Sequence, residues 1–535
     1  MKNKTIYLFI LGAFLLMDCR QSALPTRREQ GLIGAYYGNA DLTNIKESEI
    51  LHDLNRIWDE ETGHGSAWSG RYEGFVISPV SDVVTFQLAT NKHTLLQVGQ
   101  EIVEADESDS TVELVTKFDK NSVYPISITY FHPSRESGFL RVTWGWEGQE
   151  PISIPKENLF FTEENAQKWN WIIEPDPTTV DRREFITVPT HNVIVYYEPG
   201  RFCGWPANNG IWIWGNEIVV GFTLSYYQDK ELHHSQDETR PSISVLARST
   251  DGGETWTMED PDNFVGDDGR PEVNTKPINF KHAEFAFRSV QNRYFYSYDR
   301  CRTWRGPFLF PDFGNLKLTS RTDYVVNNES ECLLFLSAEE ERVEARLQDQ
   351  AFSARTVDGA LSFEFLTWIA QPIEVRSVMP STVRIGENHL VTALRRRHDN
   401  REVTDKPPVI KNWIDVYQSK DDGKSWEFLS EVANTDLGKR NGNPPCLVKL
   451  QDGRLCLTYG YRSIPYGIRA KISKDNGRTW SSVILLRDDA RTWDMGYTRS
   501  VQRSDGKIVT IYYYTTKEHK EQHIAATIWN PDDIE

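Results

Sequence analysis

The chain has no Cys-x-x-Cys pair, no run rich in lysine or arginine, and an apolar segment of only 12 residues, Ile6–Met17, at its start. Each absence excludes something. Past residue 19 the cysteines are Cys203, Cys301, Cys332, Cys446 and Cys456. That is an odd number at irregular spacing, so neither a zinc site nor a disulfide framework is expected. Cys446 and Cys456 flank an apparent strand and suit buried apolar positions. No cofactor and no metal is expected. Lys and Arg total 60 against 77 Asp and Glu, a net charge of −17, and without a basic stripe nucleic acid is not a partner. The Ile6–Met17 run is too short for a transmembrane helix. Behind Lys2 and Lys4, it has the layout of an export signal.

What the chain does contain is one short signature, repeated. Ser249-Thr-Asp-Gly-Gly-Glu-Thr-Trp256 is the clearest copy. The others begin at Ser297, Thr356, Ser419 and Ser473. Their closing aromatics are Trp304, Phe363, Trp426 and Trp480, so neighbouring copies lie 48, 59, 63 and 54 residues apart. A repeat of that period marks a propeller or solenoid. Within each copy the Asp can accept hydrogen bonds from nearby backbone N–H groups. Gly at the fifth position supplies a backbone conformation that other residues resist, and the aromatic packs between sheets. The boxes are therefore structural. β-Rich runs precede them, among them Ile218–Phe222, His389–Ala393 and Leu455–Tyr459. One box per four-stranded blade gives five blades. A sixth runs from Tyr497 to Trp529, and Asn192–Tyr197 is the strand to close the ring.

The boxes resemble the Asp-boxes, or bacterial neuraminidase repeats, of the sialidase superfamily, and the resemblance spans residues 186–535. It implies an all-β chain with a six-bladed β-propeller. Residues 28–163 are read as a separate β-rich region with strands at Val83–Leu88, Ser127–Phe131 and Leu140–Trp144. The order Gly31–Gly38, Trp68, Arg71–Phe75, Leu95–Gly99, Tyr124–Ile126 and Trp144 resembles the protective-antigen-type (PA-fourteen) β-sandwich, which implies a carbohydrate-binding module. Lectin members carry paired aspartates where this chain has Thr90-Asn91, so metal-dependent sugar binding is not carried over. Residues 164–185, with Pro175 and Pro177, read as a linker. At the start, Leu16-Met17-Asp18-Cys19 resembles the lipobox of bacterial lipoproteins, with Asp18 where a small residue is usual. It implies lipidation at Cys19 and an exported protein on a bacterial cell envelope, bound to membrane through that anchor only.

Against the sialidase pattern the site residues fall as follows. Asp494-Met-Gly-Tyr-Thr-Arg499 resembles the stretch carrying the nucleophilic tyrosine, which matches Tyr497. Leu394-Arg-Arg-Arg397 supplies the second arginine of the carboxylate clamp, as Arg395 or Arg397, and Arg462 or Arg469 the third. Arg201 and Arg499 stand in reserve. Trp205-Pro206 occupies the place of the first arginine, and Trp205 reads equally as core or as a sugar platform. Met379 or Pro380 replaces the family's glutamate, and Glu374 is the nearest. The polar loop 225–240 supplies acid/base candidates, Asp237 first and His234 second, with Asp229 and His233 beside them. A strand over Lys281–Arg288 places His282 and Glu284 on one face. The implied activity is an exo-acting glycoside hydrolase that removes a terminal acidic sugar from a glycan. A polysaccharide lyase and a non-catalytic glycan-binding lipoprotein remain open.

Overall fold

The structure is a computed structural model. It describes residues 28–534 apart from 40–41, 43–44, 59–66, 107–110, 133–136, 170, 172, 176–179, 231–232, 262–263, 265–269, 340–348, 371–374, 400–409 and 439. The leader with Cys19, and Glu374, lie outside the described residues. The chain divides into two compact units, the second beginning at Glu174.

The first unit is two facing antiparallel sheets. One contains Trp68–Ile77, paired with Val123–His132 and with Leu32–Tyr37. The other is built on Gly138–Trp146 and Asp82–Thr90. Alternate residues of Asp82–Thr90 are buried. A strand with one face on a core has this period of two. Phe86, Leu88 and Trp144 from one sheet meet Trp68, Tyr72 and Ile128 from the other in one cluster. A capping box between Thr162 and Asn165 starts the helix Glu163–Lys168. Trp169 after it packs with Ile33, Ala35 and Tyr37. The segment expected as a linker, 164–185, thus begins inside the helix Glu163–Lys168 of the sandwich, and just after it Ile186–Thr187 pairs in parallel with Ile484 and Leu485 within the second unit.

Among the described residues the second unit has six sheets, arranged as the blades of a propeller. In blade one, Arg201–Gly204 and Ile211–Trp214 both pair with Glu217–Tyr226, and Ile243–Ser249 and Thr257–Glu259 follow outward. Blade two has Ala286–Val290, Arg293–Ser297 and Arg305–Leu309. Blade three is built on Cys332–Glu339 and Asp349–Thr356. Blade four runs from Arg376–Arg384 to Glu427–Asn434, and blade five from Cys446–Lys449 to Ile484–Arg487. Blade six joins Gly496–Gln502, Ile508–Tyr514 and His523–Trp529 to Thr190–Tyr196. The N-terminal strand of the unit thus closes its C-terminal sheet, as the sequence led one to expect. Each pair of neighbouring blades encloses its own apolar cluster, and the sixth, between blades six and one, completes the circle. In blade four's second strand Val391 and Ala393 face blade five while Leu390 and Leu394 face blade three. A strand buried on both faces needs apolar residues at nearly every position, which is why these runs read as continuous.

All five boxes adopt one turn. In the first, Ser249 Oγ lies 2.8 Å from Asp251 Oδ1 and accepts from Gly253 N, while Thr255 Oγ1 donates to Asp251 Oδ2 at 2.5 Å. The same bonds recur around Asp299, Asp358, Asp421 and Asp475. Burial raises the Asp475 pKa, but the hydrogen bonds from Thr479, Ser473 and the Arg478 N–H together outweigh it and take it to about 2. The fifth position has positive φ in every copy, including Cys301 (69°) and Ala360 (63°), where the box lacks glycine. The hydrogen-bond set holds the left-handed conformation even at its cost to a Cβ-bearing residue.

Candidate active site

Three innermost strands are interrupted at one end, and at each interruption stands a non-glycine residue with positive φ: Trp205 (56°) in blade one, Met379 (54°) in blade four and Tyr497 (54°) in blade six. In blades four and six the register shifts there, between Val378 and Ser381 and between Gly496 and Arg499. Such bulges re-aim side chains, and local strain of this kind gathers at functional sites. Here it brings Trp205, Met379 and Tyr497 into one cluster. The sequence also prepares the turn. Gly496 has φ 107°, and a Cβ on it would sit 2.3 Å from Asn443 Oδ1. That oxygen accepts from Tyr497 N at 2.7 Å and holds the tyrosine in place.

The Tyr497 hydroxyl accepts from Arg395 Nη1 at 3.1 Å. Arg395 Nη2 donates to Asn441 Oδ1, and Met379 Sδ lies 3.9 Å from Nη1. Among the described residues no carboxylate is paired with Arg395, and its Nε is buried without a partner. Burial, with the charges of Arg376 and Arg462, brings its pKa down to about 10. Burial pushes the Tyr497 phenol up, but the charges of Arg395, Arg462 and Arg376 outweigh it and hold the phenol below its usual value. Arg321 also lies within range of Tyr497's charge. Arg376 Nη2 is paired with Asp349 at 2.6 Å, while its Nε is buried without a partner. The cluster therefore holds more guanidinium than carboxylate, with N–H groups left to offer an anion.

A second network adjoins the first. The Asp494 carboxylate is buried and accepts four bonds. Tyr513 Oη donates to Oδ1 at 2.7 Å, Ser235 N and Gln522 Nε2 donate to Oδ2 at 2.9 and 3.1 Å, and His234 Nδ1 is 2.5 Å from Oδ1. Burial raises the Asp494 pKa, but His234, Arg462 and the Ser235 N–H lower it below its ordinary value. An ionised carboxylate only accepts, so Nδ1 carries the proton and Nε2 is the working nitrogen. Rings of Trp205 and Trp493 flank the imidazole at 5.3 and 5.5 Å.

Of the residues singled out from the sequence, Tyr497, Arg395, His234 and Trp205 come together. Arg462 is beside them, its guanidinium 5.5 Å from the Tyr497 ring centroid. It is fully buried and committed to Met495 O, Asn441 O and Tyr513 Oη. It therefore acts through its charge and cannot clamp a ligand. Arg397 is likewise committed, to Asp399 at 2.7 Å and to Arg440 O.

The remaining choices are corrected. Arg499 donates twice at 2.7 Å, to Ala207 O and Thr322 O, and so ties three blades together in the interior of the ring. Arg469 stacks on Tyr461 at 3.4 Å, and Arg201 lies over Tyr226 and donates to Ser225 O. Asp237 accepts from Thr239 N and Oγ1 and caps its own exposed turn. Asp229 meets Arg491 at 3.5 Å, and His233 is exposed. The strand expected over Lys281–Arg288 begins only at Ala286. Phe285 N and His282 N bond backward into a turn. There His282 stacks on Tyr298, and Glu284 pairs with Arg300 of the second box. Exposed polar residues before a buried strand served the turn.

Sequence reasoning missed Arg321, Arg376, Asn441, Asp494 and Tyr513. Arg376 opens an innermost strand and Arg321 stands three residues before one. Aligning the starts of the innermost strands, blade by blade, was the signal that could have found both.

Residues 362–510, which include the fourth and fifth boxes, match the family model of the BNR repeat-like domain. An anti-sigma-I factor of Acetivibrio thermocellus is 22% identical over 147 residues, 26% of this chain and 22% of that protein. The chain thus spans about a fifth of that relative's length. Among solved structures, a protein of unknown function from Dyadobacter fermentans is 19% identical with a TM-score of 0.48, covering 64% of this chain and 99% of its own. An α-L-arabinanase of Penicillium chrysogenum is 12% identical with a TM-score of 0.42 over the same shares. The second unit thus resembles the BNR repeat-like domain over residues 362–510.

Proposed function

We propose that the propeller is an exo-acting glycoside hydrolase that releases a terminal acidic sugar, with Tyr497 as nucleophile and His234 as acid/base. The observation that carries this is the Tyr497 hydroxyl, bonded to Arg395 in a cluster with unspent cationic N–H groups. A 2-keto acid sugar has a carboxylate beside its anomeric carbon. That carboxylate repels an Asp or Glu nucleophile, whereas the guanidinium charges of Arg395, Arg462 and Arg376 around Tyr497 offset the negative charge of its phenolate. Arg395, Arg376 and Arg321 take the role of clamp. The field of the arginines favours phenolate, so Tyr497 does not depend on the carboxylate that the sialidase pattern places at Met379.

In the first step His234 Nε2–H gives its proton to the glycosidic oxygen as the C–O bond breaks, and Tyr497 Oη bonds to the anomeric carbon. In the second, Nε2 takes a proton from water. The hydroxide bonds to that carbon, the Tyr497–carbon bond breaks, and configuration is retained. Asp494 stays ionised and orients the imidazole. Trp205 beside His234 offers an aromatic face to the departing sugar.

A second reading is favoured by one fact: the only hydrogen bond to the Tyr497 hydroxyl among the described residues comes from an arginine. A lyase needs that arrangement, with phenolate removing the proton next to a uronate carboxylate that arginine neutralises. A screen against sialosides, other 2-keto acid sugars and uronate oligosaccharides, reading released sugar and unsaturated product together, separates the two. Under either reading Tyr497→Phe lowers kcat by orders of magnitude in a folded chain. A variant keeping more than about a tenth of kcat/KM, a loss under roughly 1.4 kcal/mol, makes Tyr497 a packing residue and ends both. Binding without turnover on every glycan leaves a lectin-like protein.

A further inference from the structure

The arginine cluster and the His234–Asp494 pair are joined through one buried hydroxyl. Tyr513 Oη donates to Asp494 Oδ1 at 2.7 Å and accepts from Arg462 Nη2 at 2.6 Å. Its ring meets the Tyr497 ring edge to face at 6.0 Å. Arg462 in turn lies over Tyr497 and receives no carboxylate of its own among the described residues. The line therefore runs from His234, which is partly exposed, through the buried Asp494, Tyr513 and Arg462 to the face of Tyr497.

We propose that Tyr513 is a positioning residue that couples the protonation of His234 to that of Tyr497. The proposal rests on the reading that His234 acts as the proton donor and Tyr497 as the phenolate nucleophile of one reaction, and its physical basis is polarisation along a hydrogen-bond chain. Arg462 withdraws charge from the Tyr513 oxygen and makes its proton a better donor. Asp494, served by that donor, spreads its charge and pulls less on the His234 proton. When Tyr497 ionises it draws on Arg462, Tyr513 donates more weakly, and His234 keeps its proton more firmly. The nucleophile is thus ready while the acid is still charged, which the first step requires. Burial and Asp494 keep the Tyr513 phenol well above its usual value, with Arg462 acting the other way, so it donates rather than titrates.

The surroundings contain few rival charges. Asp494 faces His234, and the flanking Trp205 and Trp493 are neutral, with the Arg440 and Arg462 guanidiniums against Trp493. Asp229, on the loop of His234, pairs with Arg491, on the segment before Asp494. Tyr497 is faced by Arg395, Arg462 and Arg376, with Arg321 beyond.

Tyr513→Phe tests this without any substrate. His234 is followed by NMR of histidine-labelled full-length protein, its signal assigned by loss in His234→Gln. Tyr497 is followed by tyrosinate absorbance, assigned by loss in Tyr497→Phe. The two midpoints move apart: His234 upward, because Asp494 loses a donor, and Tyr497 downward, because Arg462 is released toward it. Each shift is about half a unit or more. A fold-preserving second variant places 3-fluorotyrosine at position 513. Its more acidic hydroxyl donates more strongly, and the His234 midpoint falls. Unmoved midpoints in a folded Tyr513→Phe chain, or an unmoved His234 midpoint with fluorotyrosine, overturn the coupling and leave Tyr513 a packing residue. Midpoints that shift in a chain that cleaves no glycan uphold the coupling and remove the hydrolase reading instead.

Discussion

Asp323→Asn is expected to stabilise the propeller by an amount that grows as pH rises from about 4 to about 7. Asp323 stands just before the blade-three strand Tyr324–Val326. Its Oδ1 accepts from Thr382 N at 3.3 Å, while Oδ2 is buried without a partner. Burial lifts its pKa from 3.8 to about 7, against the pull of Arg499 and the Thr382 bond. A shift of roughly three units corresponds to about 4 kcal/mol. The folded pKa is the raised one, so the folded chain binds the proton more tightly than the unfolded chain. The group's contribution is fully present below pH 3.8 and is lost as pH rises through 7. Asparagine keeps an oxygen for Thr382 N and never ionises. Arg499 keeps its two carbonyl acceptors. The attraction between Arg499 and Asp323 is already counted in the shift. Urea unfolding of wild type and Asp323→Asn, followed by tryptophan fluorescence from pH 4 to 8.5, reads the difference. The variant gains up to about 4 kcal/mol at pH 8, with the gain fading toward pH 4. A variant less stable than wild type at pH 8, or a difference that does not vary with pH, refutes the reasoning.

Arg376→Ala is expected to cut kcat/KM about 10- to 100-fold, mainly through KM, as removal of one charged hydrogen-bond donor implies; kinetics on the substrate found in the screen check it, and an unchanged KM removes Arg376 from the clamp. Gly496→Ala places a Cβ 2.3 Å from Asn443 Oδ1 at φ 107°. It should cost at least about 1 kcal/mol and displace Tyr497, so thermal melting and activity fall together. For the leader, Cys19→Ala is expected to abolish incorporation of a lipid probe and release the protein from membranes. Equal labelling of variant and wild type points to simple secretion.

The sequence alone determined the repeat, because the box is local chemistry. Ser249, Asp251 and Thr255 find one another within seven residues, and no distant contact is needed to close that turn. It also determined the strands, through runs such as Leu455–Tyr461 whose every second residue faces a different neighbour. It located Tyr497 and Arg395, since a resemblance in the stretches that carry them marked both. Tertiary structure alone decided who meets Tyr497. Arg321 and Arg376 arrive from blades three and four, and only the alignment of innermost strands from blade to blade separates them from Arg469, which stacks on Tyr461 instead. The choice between Asp237 and His234 was of the same kind. Both lie on one polar loop, and only closure of the ring brings Asp494, 260 residues away, against the histidine while Asp237 caps a turn. A hydrogen bond across blades depends on the ring's geometry, which the order of residues along one blade does not encode.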